Sequence, residues 1–465
     1  MELPVDFVGY TRNLLGAEAY GKLESALQLD AVTSIRLNKG KLPEDYRIEE
    51  SHTPVLWASS GYYLENRLTF TFDPLFHAGC YYVQEASSMF VEQVLRHYVK
   101  EPSVMLDLCA APGGKSTHAR SVLPEGSLLV CNEVMRNRVQ VLTENLVKWG
   151  HPEIVVTNND PSDFSSLKHC FDVILTDVPC SGEGMFRKDE VAVSEWSTEN
   201  VTLCWQRQRR ILSDIWDALK PGGILIYSTC TYNLHEDEDN VEWIIRELGA
   251  EPLSVPVSPE WNITSDLSGR GLPVYRFLPH KTMGEGFFLA ALRKSADEDV
   301  TPAKFKEKKK DRKSPSCVVP AQCKGWIQAS SDYEWTVEDG KVLAYPRNYS
   351  EFIRLLQQKL KIMYAGIEIG EIKGKDCIPS HSLAMSTVLS PSSFVRAEVS
   401  YEQAIAYLRK ESIQLPDTFS NGYILLTYKN IPIGFVKNIG VRSNNLYPSA
   451  WRIKSNHMPD KIRCL

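Results

Sequence analysis

The feature that most restricts the fold of this chain lies between residues 103 and 293, where short apolar runs alternate with stretches of helical periodicity. Five runs read as strands: Val104 to Leu108, Ser127 to Asn132, Ile154 to Thr157, Phe171 to Thr176 and Gly223 to Ser228. Strands separated by helices form βαβ units around a parallel sheet, so the expectation is an α/β, Rossmann-like doubly wound sheet that holds ligands at its carboxyl edge. A helix from about Gln208 to Leu219 is expected to stop at Lys220-Pro221-Gly222-Gly223, where a basic residue, a helix breaker and a glycine coincide. Gly286 to Leu292 reads as an edge strand closing the domain.

At 465 residues the chain exceeds one average domain. Residues 1–75, with helical periodicity and the strand-like Val32 to Leu37, form the expected N-terminal accessory α+β domain. Residues 76–295 are the expected catalytic domain. Residues 296–316, Lys-rich and poor in aliphatic side chains, read as a charged linker. A first C-terminal domain is expected over 317–390, with a helix from Tyr349 to Gln357. A second, over 391–465, is rich in short strands, and Asn430 and Gly434 flank its expected hairpin. No apolar run reaches the roughly 18 residues of a membrane span, and Met1 to Asp6 lacks the basic and apolar regions of a secretory signal, so a cytoplasmic protein is expected. The 11 cysteines are scattered and include no Cys-x-x-Cys pair, which speaks against a disulfide scaffold and against a metal. A net charge of −6 argues against generic polyanion binding. Local basic clusters such as Lys304 to Lys313 and Arg207 to Arg210 make charge asymmetry the relevant quantity.

Three segments carry chemistry. The first strand empties into Cys109-Ala110-Ala111-Pro112-Gly113-Gly114-Lys115-Ser116, a turn of small residues that lets backbone approach a ligand closely. It lacks the first glycine of a P-loop. Glu133, at the end of the second strand, is placed to accept hydrogen bonds from both ribose hydroxyls of a nucleoside cofactor. Asp160, after the third, is placed either at the adenine edge or as a helix N-cap ahead of Phe164. The remaining two segments, Asp177-Val178-Pro179-Cys180-Ser181-Gly182-Glu183-Gly184 and Ser228-Thr229-Cys230-Thr231, each put a cysteine just past a strand's carboxyl end, so two thiols should converge on one crevice.

With Tyr82 to Met89 ahead of the sheet, the cofactor turn, Asp177 to Asp189 and Ser228 to Thr231 in this order, the chain resembles the Sun/NOL/NOP-type RNA cytosine-5 methyltransferases, and within them the RsmF-like branch acting on small-subunit ribosomal RNA. Gly434 to Lys437 and Asn445 to Pro448 are similar to that family's PUA-like RNA-binding module. The resemblance implies S-adenosylmethionine bound by Cys109 to Lys115, Glu133, Asp160 and Asp177, and a Cys230 nucleophile that adds to cytosine carbon 6. It gives Cys180 the second-cysteine role in eliminating the adduct. In that chemistry Asp177 is expected at the N3 and amino edge of the base, and Lys115 is expected either to place the substrate or to balance that carboxylate. Arg187 and Lys188 are the local candidates for substrate contact, and Lys437, Arg442 and Arg452 for an RNA face. The expected partner is 16S rRNA or the small ribosomal subunit; transfer RNA as substrate, or an inactive RNA-binding assembly factor, are the alternatives.

Overall fold

The computed structural model describes residues 2–296, 319–374, 376–455, 459 and 461–465, so the expected linker and the basic cluster at 304–313 fall almost wholly outside the described residues. At the centre stands a nine-stranded sheet. Its strands are β1 (Val104–Asp107), β2 (Leu128–Asn132), β3 (Ile154–Thr157), β4 (Phe171–Asp177), β5 (Leu219–Thr229), β6 (Ala250–Leu253), β7 (Val274–Phe277), β8 (Phe287–Lys294) and β9 (Ile362–Ala365). They lie in the order β6-β8-β5-β4-β1-β2-β3-β9, with β7 also paired to β8. Strands β1 to β5 run parallel; β8 joins β5 antiparallel and β9 joins β3 antiparallel. The chain leaves β1 toward β2 on one side and returns to β4 on the other, and this switch point opens the crevice at the carboxyl ends of the strands.

The parallel strands are apolar on both faces because helices cover both. Met105, Leu129, Val156, Val173 and Ile226 enter one core; Leu106, Val130, Val155, Ile174 and Leu225 enter the other. The helices that position the site are α1 (Gly114–Val122), α2 (Arg136–Trp149), α3 (Thr198–Trp216) and α4 (Glu238–Glu247).

Two expectations change. Gly286 to Leu292 is not an edge: β8 lies inside the sheet between β5 and β6, with Phe287 to Leu292 buried on both faces. The strands that cover it, β6 and β7, escaped notice because Glu251, Pro252 and Arg276 interrupt their apolar pattern. The helix before β5 stops at Trp216, not at Lys220, because buried Leu219 already pairs with Phe171 and starts the strand.

The N-terminal unit pairs helices Val5–Leu15 and Ala17–Leu27 with a four-stranded sheet, whose last strand, Tyr81–Val83, lies past residue 75. Two more four-stranded sheets follow, spanning Tyr333–Pro379 and Val395–Asn445. The segment 317–390 also lends β9 to the central sheet, and its helix spans Ser350–Lys359. The expected hairpin joins Gly422–Tyr428 to Ile431–Asn438 through Lys429 and Asn430, both at positive φ, as a two-residue hairpin turn requires. Among the described residues no helix is long and apolar enough to cross a membrane.

Candidate active site

Four strand ends build the crevice. From β1 the backbone passes through Leu108 to Gly113, the last at φ 111°, and α1 begins at Gly114. This turn is held from outside: Ala110 N–H donates to Asn132 O at 2.8 Å, Arg138 Nη2 to Ala111 O at 2.7 Å and Asn145 Nδ2 to Pro112 O at 2.8 Å. Asp107, fully buried, accepts from Ser116 Oγ through Oδ2 at 2.6 Å, while its Oδ1 has no partner among the described residues. Burial pushes its carboxyl up to about 7. The same burial raises the Cys109 thiol well above its ordinary value.

Glu133, at the end of β2, is nearly buried; it accepts the Met135 N–H at 2.8 Å and sits 3.4 Å from Arg138 Nη1. Asp160 is an N-cap with a complete capping box, its carboxylate taking the Ser162 N–H and approaching Arg210 at 3.3 Å. Of the two placements open to it from sequence, the cap is the one its side-chain contacts fill.

Across the crevice, at the end of β4, Asp177 Oδ2 receives Lys115 Nζ at 2.8 Å and Oδ1 receives Ser228 Oγ at 2.9 Å. Burial works against the Lys115 charge, but the Asp177 carboxylate outweighs it and holds the ammonium above its ordinary value. The ammonium also lies 5.0 Å from the centre of the Phe287 ring. Three residues on, Cys180 meets Cys230, which follows β5: the two Sγ atoms are 3.1 Å apart, a contact and not the ~2.05 Å of a disulfide. Cys180 Sγ further accepts the backbone N–H of Cys230 at 3.3 Å. The contact with Cys230, together with burial, holds the Cys180 thiol well above its ordinary value.

The two cysteine loops are tied to each other by buried side chains. Glu183 accepts the Tyr232 N–H at 2.7 Å, Trp196 Nε1 at 3.0 Å and Asn233 Nδ2 at 3.0 Å. Ser181 Oγ meets Thr231 Oγ1 at 3.0 Å, and Gly184 N–H donates to Cys230 O at 2.8 Å. A Cβ on Gly184 would stand 2.4 Å from Gly286 O and 2.9 Å from Cys230 O, so only glycine permits this approach.

The structure brings together Lys115, Asp177, Cys180 and Cys230 and sets the turn and Glu133 beside them. It sends Arg187 elsewhere. Its side chain is 5% exposed and its guanidinium donates to Glu285 at 2.9 Å and Gly284 O at 2.7 Å, so it fixes the loop and does not present itself to a phosphate. Lys188 is 3.4 Å from the same carboxylate but remains partly exposed.

Sequence reasoning missed Ser228 as a partner of Asp177, and it missed Glu183, Gln208, Asn233 and Glu236 as the struts of the loops. Glu236, Asp237 and Glu238 stand together at the start of α4, where acids ordinarily offset the helix dipole in solvent; all three are buried here. Their signal was an acidic run within six to eight residues of Cys230 with no neighbouring Lys or Arg to answer it.

Comparison with known proteins adds three family models and a set of relatives. The model described as 16S rRNA methyltransferase RsmB/F matches residues 94–293. The N-terminal domain of 16S rRNA methyltransferase RsmF matches 3–86, and the methyltransferase RsmF PUA domain matches 394–453. Proteins named ribosomal RNA small subunit methyltransferase F are 30% identical in Klebsiella pneumoniae, over 85% of this chain and 84% of that protein, and 31% identical in Citrobacter koseri, over 86% and 84%. Among solved structures, a methyltransferase homolog protein from Pyrococcus horikoshii has a TM-score of 0.53 at 26% identity, covering 60% of this chain and 92% of that one. NSun6 from Pyrococcus horikoshii with SFG has a TM-score of 0.55 at 21% identity, covering 63% and 99%, which is a likeness of fold.

Proposed function

We propose, from the premise that this chain belongs to the 16S rRNA methyltransferase RsmB/F family, that it methylates carbon 5 of a cytosine in 16S rRNA with Cys230 as the nucleophile. The observation that carries the reading is the pair of thiols 3.1 Å apart at the ends of adjacent parallel strands, beside the Lys115–Asp177 ion pair.

The residues present fit S-adenosylmethionine. Among the described residues buried Asp107 Oδ1 has no partner, and Glu133 carries one close hydrogen bond beside its Arg138 ion pair, leaving acceptor capacity for hydroxyl or ammonium donors. Cys109, Ala110, Ala111, Pro112, Gly113, Gly114 and Lys115, with Glu133 and Asp177, would hold it, while Asp160 is taken up by its helix cap. When bound, it supplies an electrophilic methyl group.

Cytosine carbon 5 is a poor nucleophile, so the ring needs a sulfur added at carbon 6, which moves the 5,6 electron pair toward carbon 5. The Cys230 thiol gives up its proton to solvent and its sulfur forms that bond. Asp177, held by Lys115 and Ser228, is positioned to accept from the amino group of the base, and from N3 once N3 takes up a proton as charge redistributes. Once carbon 5 carries the methyl group its proton must leave. Cys180 takes that proton, directly or through a water; the C–H pair restores the 5,6 double bond and the Cys230 sulfur departs with its electrons. Burial and the Cys230 thiol oppose the thiolate this requires, and the Cys230 N–H on Cys180 Sγ offsets part of that cost. Reaching these groups takes the base out of any helix, at a cost of a few kcal/mol that is smallest for exposed loops.

The test has two arms. Cys230→Ala should abolish turnover and leave no denaturation-resistant RNA adduct, whereas Cys180→Ala should accumulate that adduct on gels. An adduct that persists in Cys230→Ala refutes the nucleophile assignment. Bisulfite sequencing of total RNA from cells lacking the protein should lose one signal in 16S rRNA; a signal lost from transfer RNA, or none lost, overturns the substrate.

A further inference from the structure

Cys180 sits on a loop, yet the residues on either side of it are fastened to one buried pair. Gln208 Nε2, from α3, donates to Pro179 O at 3.0 Å and to Glu236 Oε2 at 2.7 Å. The Ser181 N–H donates to the same Glu236 oxygen at 3.0 Å. Glu236 therefore holds the residue after Cys180 directly and the residue before it through Gln208. It also reaches the other cysteine: Asn233, three residues past Cys230, donates to Glu236 Oε1 at 2.8 Å, and the Glu236 N–H returns a bond to Asn233 Oδ1 at 2.9 Å. The far end of Gln208 is fixed as well, its Oε1 accepting from Asn240 Nδ2 at 2.7 Å and from the hydroxyl of Tyr227 in β5 at 3.1 Å.

Gln208, Glu236, Tyr227 and Asn240 are all fully buried. The Glu236 carboxylate receives three donors, and only a group that accepts at both oxygens can take them. Burial pushes that carboxyl up to about 7, so keeping the charge there is unfavourable in itself. The network is anchored on regular elements through Tyr227 in β5 and Asn240 in α4, and it carries that anchorage to the two peptides flanking Cys180.

We propose that Glu236 and Gln208 are positioning residues, a buried carboxylate–amide clamp that fixes Cys180 against Cys230 for release of the methylated base. The proposal rests on the assignment of the two thiols above. The clamp acts after methyl transfer and leaves the first sulfur–carbon bond to Cys230 alone. Glu236→Gln is close to isosteric but turns one acceptor into a donor that faces another donor. Gln208→Met removes both N–H bonds while leaving Glu236 its Ser181 and Asn233 donors, and serves where the first variant does not fold.

In folded protein, checked by thermal unfolding, both variants should accumulate the denaturation-resistant RNA adduct. A slowed last step lowers kcat and KM together, by about 10²-fold for a group misplaced by an ångström, with kcat/KM near wild type. A purely structural role would lower kcat/KM or the folded fraction without adduct. Clearance of the adduct at the wild-type rate, loss of kcat/KM in its place, or failure of both variants to fold overturns the clamp. Two controls separate it from the reading it rests on: adding Cys230→Ala must remove the adduct, and Cys180→Ala must by itself retain it. If either control fails, the thiol assignment is what falls.

Discussion

At the scale of single residues, charge placement decides which side chains meet a substrate and which hold the frame. Lys115 and Asp177 form an ion pair in a crevice that water reaches, with side chains 16% and 33% exposed. Arg187 and Glu285 form one that water does not, at 5% and 2%. Motif position alone made Arg187 look like a phosphate contact. Removing one partner of a buried pair strands the other, at roughly 3–5 kcal/mol. Arg187→Met is therefore expected to lower unfolding stability by an amount of that order in urea titrations and to leave the RNA affinity of the folded fraction unchanged. A variant of normal stability that binds RNA weakly would restore the substrate role. Lys188, with its ammonium partly exposed, is the remaining local candidate for an RNA contact.

At the scale of elements, the site depends on a helix that its own segment does not contain. Phe7, on Val5–Leu15, is fully buried, its ring centre 5.0 Å from that of Phe186 and 5.7 Å from that of Trp196. Leu23 and Leu27, from the next helix, join Tyr232 and Leu278 in the same cluster. Tyr10 Oη accepts the Leu234 N–H at 2.8 Å, and Ala26 O lies 3.5 Å from Arg187 Nη1. The N-terminal helices thus brace the loops that carry both cysteines. Truncating a buried Phe costs about 3–5 kcal/mol. Phe7→Ala should lower stability within that range and should raise hydrogen exchange at residues 183–187 and 231–234, measured by mass spectrometry on the intact protein. Unchanged exchange in those segments would mean that the loops are held by their own hydrogen bonds alone.

At the scale of the whole molecule, the domains expected from sequence share cores. Ile35, Leu75 and Tyr81 of the N-terminal unit pack in one cluster with Ala397, Tyr407, Ile424 and Val436 near the far end of the chain. The Leu465 N–H donates to Asp73 Oδ2 at 2.7 Å, and β9 completes the central sheet from residues 362–365. A chain ending at residue 390 is expected to lose the cover of Ile35, Leu75 and Tyr81 and to show a lower thermal midpoint or insolubility, measured beside the full chain. An unchanged midpoint, with only RNA affinity reduced, would mean that the C-terminal unit is a detachable module. What the sequence by itself determined was the part governed by local pattern: the five parallel strands, the glycine-rich turn after the first, the acid after the second and a cysteine past the fourth and fifth. Period and turn chemistry are properties of neighbouring residues, and they are readable without a partner. What only the tertiary structure decided was the part governed by distant pairing. It placed β8 inside the sheet, because β6 and β7 hide their strand pattern behind residues such as Arg276 that find buried acids 38 and 39 positions away. It also turned Arg187 inward to Glu285 and brought Glu236 and Gln208 to either side of Cys180, since nothing in a sequence records which buried charge will be answered, or by what.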